Sequence, residues 1–121
     1  MFFKMVTFES LTDRLIAFRD ERDWKQFHSL KNLILSISIE SAELLELTQW
    51  KDEEEIDNAI IDPDFKKKLK EECADVLLYL MLVAEKAGFN LASAANCKID
   101  INQQKYPIDK ARGNSKKYDQ I

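Results

Sequence analysis

The 121 residues are 45% hydrophobic and 33% charged, with only two glycines and two prolines. A chain of this length is expected to form one domain and to bury about two-thirds of its unfolded surface. So few glycines exclude a turn-rich antiparallel sheet and a glycine-loop nucleotide fold, and a net charge of -4 argues against duplex-DNA binding by the whole surface.

The opening MFFKMVTF is too short for the apolar core of a secretion signal. A first helix is expected over residues 7–22, with Thr7 as N-cap and Phe8, Leu11, Leu15 and Phe18 at helical spacing. A polar and aromatic stretch follows, containing Trp24 and His28. A second helix is expected over residues 29–50, with the stripe Leu30, Leu33, Ile37, Leu44 and Leu47. Residues 51–64 read as an acidic linker ending in Asp62-Pro63-Asp64, a good helix start. The third helix then covers residues 63–86 and stops at Gly88, and the fourth covers residues 90–105 before Pro107.

The fold expected is all-α, a four-helix domain over residues 1–107 with a basic, irregular or mobile tail over residues 108–121. Residues 98–121 carry six Lys/Arg and three Asp, a net of +3, which leaves -7 on residues 1–97. The longest apolar run, residues 76–84, cannot span a bilayer, so no membrane partner and a cytoplasmic location are expected. Cys73 and Cys97 have no metal-type spacing and are expected to be buried free thiols. Leu33, Ile34, Leu35, Ile37 and Ile39 nearly encircle the second helix. A lone four-helix chain cannot cover them all, and oligomerisation is expected.

The informative acids are those that interrupt apolar seams. The second helix places Glu40 within the row Leu33, Ile37, Leu44 and Leu47, with Glu43 one turn along. The third places Glu72 within the row Leu69, Val76, Tyr79 and Val83, with Asp75 one turn along. Four facing carboxylates repel one another unless a cation neutralises them. The alternative is that all four lie on solvated faces, as most helical charges do. Di-iron bundle chemistry needs two Glu-x-x-His motifs, and this chain has one histidine. A calcium loop needs a central glycine that residues 52–57 lack. Mg2+ acting on a phosphoanhydride remains.

The E-x-x-E at Glu40 and Glu43, followed by E-x-x-D at Glu72 and Asp75, resembles the MazG-like all-α nucleoside triphosphate pyrophosphohydrolases. FRDERDWKQFH at residues 18–28, QWK at 49–51, DVLLYL at 75–80 and KIDINQQKYP at 98–107 are similar to its dCTP pyrophosphatase branch. That resemblance implies Mg2+-dependent hydrolysis of dCTP or a related pyrimidine nucleotide to monophosphate and pyrophosphate by a homotetramer, with a role in cleansing the nucleotide pool. It further implies metal ligation by Glu40, Glu43, Glu72 and Asp75, and base recognition by Trp24 and His28, with Trp50, Tyr79 and Asn102 in the pocket.

The chemistry itself adds roles. Glu43 is the candidate proton acceptor for water. Lys98, Arg112, Lys116 and Lys117 are candidate phosphate contacts, with solvated surface charge as their ordinary alternative. Three rival functions stay open: broad housecleaning of dNTPs, a non-catalytic helical interaction module, and nucleic-acid binding by the basic tail. The last has least behind it, and no stable nucleic-acid partner is expected.

Overall fold

The computed structural model describes residues 5–121, so half of the MFFKMVTF stretch lies outside the described residues. Among the described residues there are six α-helices and no strands. Their order is α1 (Phe8–Glu21), α2 (Leu30–Glu46), α3 (Glu53–Ala59), α4 (Pro63–Ala87), α5 (Leu91–Lys105) and α6 (Ile108–Ala111), with 3-10 turns at Lys25–Phe27 and Tyr118–Gln120. The chain divides after Gly88 into two compact units. None of these helices is by itself long and apolar enough to cross a membrane.

Local capping sets most boundaries. The Thr7 hydroxyl accepts from the Ser10 N–H at 3.0 Å, and the Ser10 hydroxyl accepts from the Thr7 N–H at 2.9 Å. This reciprocal pair satisfies two N-terminal donors of α1. Ser29 caps α2 and Asp62 caps α4, where Pro63 supplies a preset φ at the first position. Gly88 ends α4 at φ 79°, a left-handed conformation that glycine adopts without steric cost.

Four helices were expected and six are present, and each departure has a local cause. Residues 51–64, expected to be a linker, contain α3. The Asp52 side chain accepts from the Glu55 N–H at 2.8 Å, and Glu53, Glu54 and Glu55 occupy the first turn. Acidity that suggested a solvated linker is favourable at a helix N-terminus, where it complements the dipole. The second helix ends at Glu46 rather than at residue 50. There the Thr48 hydroxyl donates to the Leu45 carbonyl at 2.7 Å, and Trp50 turns the chain at φ 68°. The tail is also less irregular than expected. Tyr118 packs edge-on against Tyr106 with ring centroids 6.2 Å apart, a contact that helical periodicity cannot register.

In the first unit, α2 packs along α4, and α1 makes a smaller contact with α4. Glu40 and Glu43 lie near Glu72, whereas Leu44 and Leu47 share a cavity with Leu69 and Phe65. Rising α2 numbers therefore meet falling α4 numbers, so the two helices run antiparallel. Among the described residues the buried apolar side chains are Leu33, Met81, Leu82 and Ala84, a small core for so apolar a chain. Ile34, Leu35, Ile39 and Leu45 of α2 stay exposed. Cys73 and Cys97, expected to be buried thiols, are both exposed: Cys73 falls outside the packed stripe of α4, and Cys97 lies on α5, which has no buried residue.

Candidate functional site

The α2–α4 pairing converts two local acidic spacings into one cluster. Glu40, Glu43 and Glu72 each bring a carboxylate oxygen within 4.8 Å of the others. The Oε2 atoms of Glu40 and Glu72 are buried with no hydrogen-bond partner. Burial first, and then the charge of Glu43, push the Glu40 carboxyl above the usual carboxylate range. Burial and the approach of Glu43 do the same to Glu72. Asp75 adds its charge to both and lines the adjoining cavity. Orphaned, partly desolvated oxygens of like charge match a hard divalent cation with oxygen ligands, so the donor set fits Mg2+.

The cavity beside the cluster measures about 190 Å³ and lies between α1, the 3-10 turn and α4. Trp24, His28, Asp75 and Tyr79 all line it. Trp24 is held edge-on to Phe18, with centroids 5.7 Å apart. The His28 Nδ1 is buried without a partner. Burial, and secondarily the charge of Arg19, hold the His28 imidazole below its ordinary value of 6.5. The ring is therefore neutral at pH 7, with one nitrogen donating and the other accepting.

The remaining candidates lie elsewhere. Trp50 is 92% exposed and does not line this cavity. Lys98 and Asn102 lie on exposed positions of α5, one turn apart. Arg112 follows α6 and lines an open groove with Tyr106 and Asp109. The Lys116 N–H donates to the Asn114 side chain, and Lys117 precedes the last 3-10 turn. Lys98, Asn102, Arg112, Lys116 and Lys117 all belong to the second unit.

The sequence model of the MazG-like family matches residues 35–121, which include all four motif acids. The chain belongs to the MazG-like family. It is 39% identical over 112 residues to dCTP pyrophosphatase 1 of Bos taurus, covering 93% of this chain and 66% of that protein. With dCTP pyrophosphatase 1 of Homo sapiens it is 39% identical over 115 residues, covering 95% and 68%. This MazG-like chain thus spans about two-thirds of the length of these mammalian relatives. Among solved structures, a pyrophosphatase from Archaeoglobus fulgidus is similar at a TM-score of 0.78 and 40% identity, over 88% of this chain and 98% of that one.

One member of the cavity escaped the sequence reading of this MazG-like chain. Arg19 is 4% exposed, donates from Nε to Asp20 at 2.9 Å and from Nη1 to Glu85 at 2.8 Å, and lines the cavity. The signal was present as a cation continuing the i+4 row Leu11, Leu15, and as Glu85 continuing the row Leu78, Leu82. Neither charge is informative alone. They meet only when α1 reaches α4.

Proposed function

We propose that this chain is a Mg2+-dependent nucleoside triphosphate pyrophosphohydrolase acting on dCTP or a close pyrimidine deoxynucleotide. The observation that carries it is the Glu40, Glu43 and Glu72 cluster, with two orphaned oxygens, opening beside a cavity lined by an indole, a neutral imidazole and a phenol. The similarity to proteins named as dCTP pyrophosphatases supports the substrate class.

Glu40, Glu43, Glu72 and Asp75 would hold the cation, which when bound neutralises phosphate charge. Hydrolysis breaks the α–β anhydride: the water oxygen joins one phosphorus, and pyrophosphate leaves with the bridging electron pair. Glu43 is the exposed member of the trio and takes the proton released by the water. Trp24 and Tyr79 supply aromatic surface for the base, and the His28 nitrogens supply a donor and an acceptor to its edge. On the sequence reading alone, we assign Lys98, Arg112, Lys116 and Lys117 to the outer phosphates and Asn102 and Trp50 to further nucleotide contacts. The bare apolar surface of α2 supports a homo-oligomer, for which we propose a tetramer.

The test is pyrophosphate release from each common nucleotide with Mg2+, with an EDTA control and the Glu72→Gln variant. Release from dCTP that is lost in EDTA and falls at least about 100-fold in Glu72→Gln is expected, the scale of losing a preorganised charge at a reacting group. Equal turnover of all deoxynucleotides would replace dCTP preference with broad housecleaning. No release from any nucleotide by folded, Mg2+-loaded protein would leave a non-catalytic module.

A further inference from the structure

Arg19 is the one fully buried charge among the described residues, and its place in the cavity is not explained by packing alone. Asp20 engages its Nε and Glu85 its Nη1, so two carboxylates fix the plane of the guanidinium. A guanidinium has five N–H donors, and these bonds use two of them. The group is also over-neutralised, one cation against two carboxylates. Such a site repels phosphate and still offers rigid donors to a neutral acceptor.

Position along α4 agrees with this. Asp75, beside the carboxylate cluster, and Glu85, bound to Arg19, are ten residues apart, about 15 Å at the helical rise. The triphosphate belongs at the Asp75 end, which leaves Arg19 at the other. A cavity of about 190 Å³ is smaller than the roughly 300–1,000 Å³ of pockets that hold whole drug-sized ligands. It suits a single ring.

We propose that Arg19 is a specificity-determining residue, whose guanidinium, clamped by Asp20 and Glu85, donates to the carbonyl or ring-nitrogen acceptors on the edge of a pyrimidine seated among Trp24, His28 and Tyr79. This rests on the pyrophosphohydrolase reading above. The competing role is a purely structural strut between α1 and α4.

The experiment measures kcat and KM for dCTP, dTTP, dATP and dGTP in wild type, Arg19→Lys, and the double variant Arg19→Met/Glu85→Gln. Arg19→Lys keeps Glu85 paired but loses the planar fork, and the double variant leaves no unpaired buried charge. Thermal melting confirms that each variant is folded. The expected result is a raised KM for the preferred nucleotide with kcat nearly unchanged, and a fall of at least about 10-fold in its preference over the other bases, the scale of a hydrogen bond to a charged group. A strut would lower kcat/KM for every nucleotide by one common factor, and that outcome overturns the proposal. So does a wild type that turns nucleotides over without preference among bases. A wild type that hydrolyses none of them fails the functional reading itself, and the role of Arg19 falls with it.

Discussion

Glu40 and Glu72 are held in a state that disfavours their own charge. A carboxyl whose folded-state pKa is raised contributes stability below its unfolded value, here near 4.5, and loses that contribution as the pH rises through the folded value. In metal-free protein, Glu40→Gln is therefore expected to melt higher than wild type at pH 7. The difference should vanish below about pH 4.5. Adding Mg2+ should raise the melting temperature of wild type and close the gap, because a ligand of the native state stabilises it by mass action. Melting curves across pH, with Mg2+ or EDTA, check all three statements; a Glu40→Gln that melts lower at pH 7 would show that the acid is structurally satisfied. Trp50 offers a second residue-scale test. Its φ of 68° is strained for a side chain with a Cβ, by about 1–2 kcal/mol. Trp50→Gly should therefore raise stability by about that amount while lowering nucleotide turnover, since the proposed nucleotide contact is lost. Higher turnover would remove Trp50 from the site. Of the residues gathered at the candidate site, the carboxylates stood out by i+3 spacing, and Trp24, His28 and Tyr79 by resemblance. Arg19 was not, because its meaning depends on Glu85, 66 residues away.

At the scale of the element, helix ends carry testable energies. Removing the Asp52 cap by Asp52→Ala is expected to cost about 1 kcal/mol, because the Glu55 N–H loses its acceptor and three neighbouring acids lose a helix to stabilise. Gly88→Ala should cost about 1–2 kcal/mol for the left-handed conformation alone, since nothing lies within 4 Å of where its Cβ would stand. Denaturant titrations measure both. A neutral Gly88→Ala would mean that the α4 terminus relaxes to another cap. Those helices that were legible, α1, α2, α4 and α5, announce themselves by long periodic stripes and by Thr7, Ser29, Asp62 and Asn90 at their starts. Seven-residue α3 is too short for a stripe, and its acids look the same in a linker as in a first turn.

For the whole molecule, the question is what covers α2. Ile34 and Leu35 are 52% and 51% exposed, and only Leu33 of that helix is fully buried. Apolar positions on several sides of one helix need more than one partner surface. Light scattering is expected to report a homo-oligomer, and Leu35→Glu to dissociate it and lower the melting temperature. In a lone chain the same substitution sits on exposed surface and should cost within about 0.5 kcal/mol. An unchanged mass and melting point would mean that this face stays in water. What the sequence by itself determined here is local: the all-α class, the four long helices with their caps, and two acidic pairs spaced one turn apart, because helix geometry links residues three and four positions apart. Only the tertiary structure decided that Glu40 and Glu43 of α2 converge with Glu72 of α4, that Arg19 meets Glu85, and which apolar residues are left uncovered. Those outcomes depend on which helix faces pack together, and that choice is made by burial summed over the whole chain.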